Sequence, residues 1–235
     1  MGIFGYDPAI LARYPHLTGG VMLARGVTNG PATEPLRAAY EAEQAATLRR
    51  LGTAPLSRLP SLAAWRGAFR GFGVDPTQYR SAAEALLRRL TKTGSLPSVN
   101  ALVDLGNLVS IRYALPVAIF DLRAARGAVT VRFADGTERF TPLGEAVPEH
   151  PPAGEVVFSD DAGLVLARRW CWRQSAESAA RADTADVLIT IEAQHPDGRA
   201  DVEAALRDAR ELLAGTAGGS AVAATLDRVR PAFAP

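Results

Sequence analysis

Three side chains with chemistry to offer stand at helical spacing in an otherwise apolar run. They are Asn100, Asp104 and Asn107, within KTGSLPSVNALVDLGNLVSIRYALPVAIFD, Lys92 to Asp121. Spacings of four and three put them on one face of a helix. Burying an unpaired amide or carboxylate costs about 1–3 kcal/mol, so these groups either cap helix ends and tie loops together or line a pocket for a polar ligand. A second group is RRWCWRQ, Arg168 to Gln174. Read as a strand, it puts Trp170 and Trp172 on one face and Arg169, Cys171 and Arg173 on the other. Paired tryptophans usually pack a core, whereas arginines beside them can reach phosphates or stack on a base. Cys171 has no histidine near it in sequence, so a thiolate nucleophile lacks a local base. A third group, Arg80, Arg88, Arg89 and Lys92, gathers positive charge towards the C-terminal end of one helix, where it opposes the helix dipole or meets phosphates.

The elements that must position these groups follow from pattern. Leu17 to Val27 reads as a strand whose Gly19-Gly20 entry forms a turn or lets another chain segment approach closely. Helices are expected over Glu34 to Leu51, Leu62 to Phe72, where Trp65, Phe69 and Phe72 make one aromatic face, and Ala200 to Leu213. Ser81 to Arg89 begins with a capping box, Ser81 with Glu84. The helix from Ser98 is apolar on most sides and therefore buried, with one polar seam. Strands are expected at 117–122, 129–134, 138–143, 155–159, 164–172 and 187–193, with a tight hairpin at Asp135-Gly136. Strands following a helical first half indicate an α+β fold, helices packed on a mostly antiparallel sheet or sandwich core. Residues 1–60 are expected to add a strand and a helix to a domain over 61–213, and 214–235 to be a loosely docked tail.

Composition removes several function classes. The 26 basic and 25 acidic residues leave a net charge of +1, so any nucleic-acid contact must come from a local patch. Lys92 is the sole lysine. With 48% hydrophobic residues the 235-residue chain can bury a continuous core. No window approaches the roughly 18 apolar residues of a membrane span, and the start MGIFGYDPAILARYP lacks a signal-peptide pattern. A cytoplasmic protein with no membrane partner is expected. One cysteine excludes an intrachain disulfide and a cysteine-based zinc site, and His16, His150 and His195 are scattered. No phosphate-loop, dinucleotide or zinc-protease motif occurs, so no metal or cofactor is expected.

The run LPSVNALVDLGNLVSIRYALPVAIFDL, followed by a V-x-V-R strand, resembles the B3/B4 domain of the phenylalanyl-tRNA synthetase beta subunit. The matching residues, in order, are Asn100, Asp104, Asn107, Pro116, Phe120, Asp121 and Arg132. The WRQ segment and the helix start at Tyr79, Arg80 and Ser81 are more similar to freestanding B3/B4 proteins. The resemblance covers about Trp65 to Ala193. It implies an editing-type pocket that hydrolyses tRNA carrying the wrong amino acid, chiefly tyrosine in the synthetase. Asn107 and Glu192 carry over as pocket residues with catalytic roles, Glu192 through its I-E-A context, which is similar to the family's L-E-A; it would pair with the substrate's ammonium group. Asn100, Asp104, Ala118, Trp170 and Trp172 would bind substrate. Arg80, Arg88, Arg89, Lys92 and Arg173 would meet RNA. Two departures stand out: Ala118 replaces the family's pocket histidine, and RRWCWRQ replaces a glycine-rich loop. The leading expectation is a trans-acting aminoacyl-tRNA deacylase with mischarged tRNA as its partner. The alternatives are a non-catalytic tRNA-binding module and a small amino-acid-binding protein that has lost RNA.

Overall fold

The computed structural model describes residues 2–235. Two sheets form the frame. The smaller, in the order β3 (Val117–Asp121), β8 (Asp186–Ala193), β2 (Thr18–Arg25), β9 (Ser220–Leu226), is antiparallel throughout. The larger runs β10 (Ala232–Phe233), β1 (Phe4–Tyr6), β4 (Val129–Phe133), β5 (Val156–Asp160), β6 (Val165–Arg168), β7 (Arg173–Gln174), with β1 and β4 its parallel pair. Six helices complete the described residues: α1 (Pro8–Arg13), α2 (Glu34–Leu51), α3 (Pro60–Gly71), α4 (Ala82–Thr93), α5 (Ala101–Tyr113) and α6 (Gly198–Thr216).

Alternation along β8 explains the layering. Val187, Ile189, Ile191 and Ala193 pack with residues of α2, α4, α5 and α6, whereas Leu188 joins Phe4, Phe120, Phe158 and Leu226 between the two sheets. Period-two side chains thus give the small sheet one helix-covered face and one sheet-covered face. The same parity sends Thr190 and Glu192 to the inter-sheet side.

The local signals explain the helices. Ser81 accepts from the Glu84 amide at 3.3 Å and Gly94 ends α4 in the left-handed region at φ 79°. The reciprocal half of the capping box is absent, because the buried Glu84 carboxylate instead takes Arg66 at 2.8 Å and Arg88 at 2.9 Å. Arg66 is therefore mostly buried.

Two expectations are overturned. Residues 138–143 form no hairpin strand: the Glu138 carboxylate folds back to accept from the amides of Asp135 and Gly136 and from Arg132, and the segment touches its neighbours only by isolated bridges. The segment 214–235 is no loose tail. It supplies β9, paired with β2 along its whole length, and β10, whose Phe233 is buried. Residues 1–60 supply β2, which lies between β8 and β9 in the small sheet, and the long helix α2. Leu226→Ala is expected to lower stability by about 2–5 kcal/mol, as a buried Leu truncation does. Denaturant unfolding checks this, and an unchanged midpoint would restore the tail reading.

Candidate functional site

Glu192 sits on β8 opposite Gly19 of β2 and is 2% exposed. Gly19 is there for space: a Cβ at that position would lie 1.9 Å from the Tyr6 hydroxyl. Through this gap Tyr6, on β1 of the other sheet, donates to Glu192 Oε1 at 2.9 Å. The Trp170 indole N–H donates to both carboxylate oxygens, at 3.2 and 3.1 Å. The Gly-Gly signal in the sequence therefore marks a close approach and not a turn. Burial pushes the Glu192 carboxyl up to about 7, against the opposing pull of the Trp170 and Tyr6 hydrogen bonds. The same burial, with the adjacent carboxylate, pushes the Tyr6 phenol well up, so it stays a donor.

Other buried carboxylates have cations: Glu43 has Arg112, Glu84 has Arg66, Asp121 has Arg123, Glu138 has Arg132 and Glu155 has Arg168. Asp160 is held by three backbone amides, and Asp104 by the Val99 amide and the Ser98 hydroxyl. Among the described residues Glu192 alone is both deeply buried and held only by two neutral side chains, with acceptor capacity left over.

RRWCWRQ is not the expected strand. β6 stops at Arg168, and Arg169 and Trp170 have φ of 44° and 57°, left-handed values that non-glycine residues rarely adopt. The turn splits the tryptophans. Trp170 enters the core edge-on to Tyr14 and Trp65 at 4.8 and 5.1 Å, while Trp172 meets Tyr79 at 5.0 Å nearer the surface. Between them lies a cavity of about 70 Å³ whose lining includes Ala118, Thr190, Glu192, Trp170, Cys171 and Trp172, with Arg173 at its exposed end. Burial and Glu192 hold the Cys171 thiol well above its ordinary value, so it is a poor nucleophile.

The structure thus brings Ala118, Trp170, Trp172, Arg173 and Glu192 together. Asn100, Asp104 and Asn107 do not join them. Asn100 is the N-cap of α5, accepting from the Val103 amide at 3.0 Å, and Asp104 ties down the preceding loop. Asn107 lies beside Tyr40 of α2, on the helix-covered side of the small sheet. The helix starts at Ala101, one residue too late for Asn100 to share its face, which dissolves the three-residue seam. For these three residues the pocket roles are replaced by capping and packing ones. Of the basic group, Arg80 and Arg88 flank Glu84, while Arg89 and Lys92 are exposed on α4. Lys92 is ten residues beyond the cavity-lining Ala82, about 15 Å along the helix. Sequence reasoning missed Tyr6, and no local motif announces it.

A larger cleft, about 440 Å³, opens elsewhere, beside Arg50, Arg112, Tyr113, His195 and Asp201. Its Arg112 is already taken by Glu43 at 2.7 Å and Asp208 at 2.6 Å, and His195 by Asp201 at 2.9 Å. Arg58 and Asp197 also line it without an ion-pair partner, but no deeply buried carboxylate without a cation faces it, so the small cavity carries the stronger chemical case.

Because the folded-state pKa of Glu192 lies above the ordinary 4.5, the folded protein holds the extra proton between those values. Stability from this group is full below about pH 4.5 and lost as pH rises through about 7, a swing on the order of 3 kcal/mol. Glu192→Gln is expected to remove the swing, so that the wild type loses ground to the variant across this window. Denaturant unfolding at several pH values checks this, and parallel curves would contradict it.

A sequence model of the family described as "B3/4 domain" matches residues 64–214. The phenylalanine–tRNA ligase beta subunit of Chromobacterium violaceum is 31% identical over 96 residues, 41% of this chain and 12% of that subunit. Among solved structures, an N-terminal fragment of the phenylalanyl-tRNA synthetase beta subunit from Pyrococcus horikoshii superposes with a TM-score of 0.51 at 14% identity, covering 93% of this chain and 50% of that one. That structural likeness concerns the fold, and the chain spans half or less of the length of either relative. The family model covers well over half of this sequence, and the chain belongs to the B3/4 domain family.

Proposed function

We propose that the cavity holds the aminoacyl end of a mischarged tRNA and that the protein is a trans-acting aminoacyl-tRNA deacylase. The observation that carries this reading is Glu192: a buried carboxylate facing a cavity, with no cation of its own. An α-ammonium group supplies the missing charge, and a charge-assisted hydrogen bond there contributes about 1.5–3 kcal/mol. Kinship with the beta subunit of a tRNA ligase supports an aminoacyl ester as the carrier of that ammonium.

Cavity size sets the amino acid. Benzene occupies a dry cavity of about 150 Å³; the roughly 70 Å³ here is less than half that. Trp170 takes up the remaining room and is itself fixed by Tyr14, Trp65 and Glu192. The expected substrate carries a small side chain such as that of alanine or serine, in place of tyrosine. The ester is already activated, so binding need only place it against a water molecule.

A second reading, tRNA binding without hydrolysis, is favoured by Ala118, which points no titratable group at the ester. Deacylation of a panel of misacylated tRNAs decides between them. Turnover is expected with small amino acids, and Glu192→Ala should lower kcat/KM about 10–100-fold, the worth of the charge-assisted bond. No turnover above buffer with any tRNA removes the enzyme reading.

A further inference from the structure

At the exposed end of the cavity four side chains form a cation–π cluster in which the Tyr79 and Trp172 rings meet edge to face at 86°. The Arg169 guanidinium carbon lies 3.9 Å from the Tyr79 ring centroid and 4.4 Å from that of Trp172, and Arg173 approaches Trp172 at 4.6 Å. We propose that this cluster is a nucleobase-binding platform that receives the terminal base of a single-stranded RNA end while the ester it carries enters the cavity beneath. The proposal rests on the deacylase reading for what enters the cavity. It stands on its own geometry for the base.

Three features separate the platform from ordinary core packing. Its inner member is immobilised: the Arg169 amide donates to Glu155 at 2.9 Å and its guanidinium lies 3.7 Å from the same carboxylate. Its outer member is free, for Arg173 is exposed and has no carboxylate partner among the described residues. Finally, the backbone that presents it adopts two successive left-handed non-glycine conformations, a cost that a plain strand end would avoid. That turn moves Trp172 outward from the face it would share with Trp170.

The surroundings select a base on a phosphodiester over a neutral or cationic ring. The turn is fixed to the start of α4 by the hydrogen bond from the Ala82 amide to the Cys171 carbonyl, 2.8 Å. From there α4 leads away with exposed Arg89 and Lys92. Aromatic side chains beside a cationic track are how proteins hold single-stranded nucleic acid, since every base has a π-face and every link a charge. Trp172 also lines the cavity, so a base stacked on it leaves its attached ribose ester at the entrance.

Of three tryptophans, Trp65 and Trp170 are buried and only Trp172 is partly exposed, so quenching of tryptophan fluorescence reports on the platform. The probes are adenosine 5′-monophosphate and the trinucleotide CCA, with ribose 5-phosphate as the baseless control. Saturable quenching by the first two and not by the control is expected. By calorimetry, Trp172→Leu should weaken CCA binding about tenfold or more, and Arg173→Ala, at an exposed position, about threefold. No saturable quenching at millimolar nucleotide, or affinities unchanged in both variants, overturns the platform. Neither probe contains an ester, so nucleotide binding without deacylation keeps the platform and removes the enzyme. Deacylation whose tRNA affinity ignores both substitutions does the reverse.

Discussion

A buried carboxylate without a cation has to be held by neutral donors, and the two that hold Glu192 come from separate parts of the fold. Tyr6 reaches it from the opposite sheet and Trp170 from a turn beyond β6. That one group therefore fixes the spacing of the two sheets, the need for glycine at position 19 and the inward rotation of Trp170. Desolvation raises its pKa to about 7, which leaves the carboxyl poised between neutral and charged near physiological pH. A cation that enters the cavity tips it to the charged form.

The contrast with the other acids separates structural from functional charge. Glu84 gathers arginines from α3 and α4, and Glu155 holds Arg168 and Arg169 behind the aromatic cluster. These networks position elements and leave neither carboxylate without a cation. Glu192 is organised the other way, with its donors neutral and its open side lined largely by small or apolar groups, Ala118, Ala167 and Thr190 among them. Alanine at position 118 adds room where the resemblance implies a histidine, a tryptophan turn in place of glycines removes it, and on the proposed reading selectivity follows the space that Trp170 leaves.

Much of the fold could be read from pattern because burial acts on period. The α+β class, the capped start of α4, the buried α5 and the strands at 117–121 and 186–193 all follow from spacing and caps. The polar seam misled because spacing fixes a face only inside a helix, and Asn100 lies just outside one. The last strand was hidden by its composition: SAVAATL is alanine-rich and weak in strand propensity, and its pairing comes from β2. At the site, Glu192, Ala118 and the two tryptophans were recognisable, but the separation of Trp170 from Trp172 was not, since it depends on two left-handed residues that no local rule places at Arg169 and Trp170. Tyr6 was invisible for a simpler reason: it meets Glu192 across 186 residues.

The most direct test of the account is the ionisation of Glu192 itself, followed by the carbon-13 shift of its carboxyl in the free protein and with a small amino-acid amide such as alaninamide. Titration near pH 7 is expected in the free protein, with the midpoint shifted to lower pH when the ammonium-bearing ligand is bound. A midpoint near the ordinary 4.5, or one that alaninamide leaves unmoved, would contradict it.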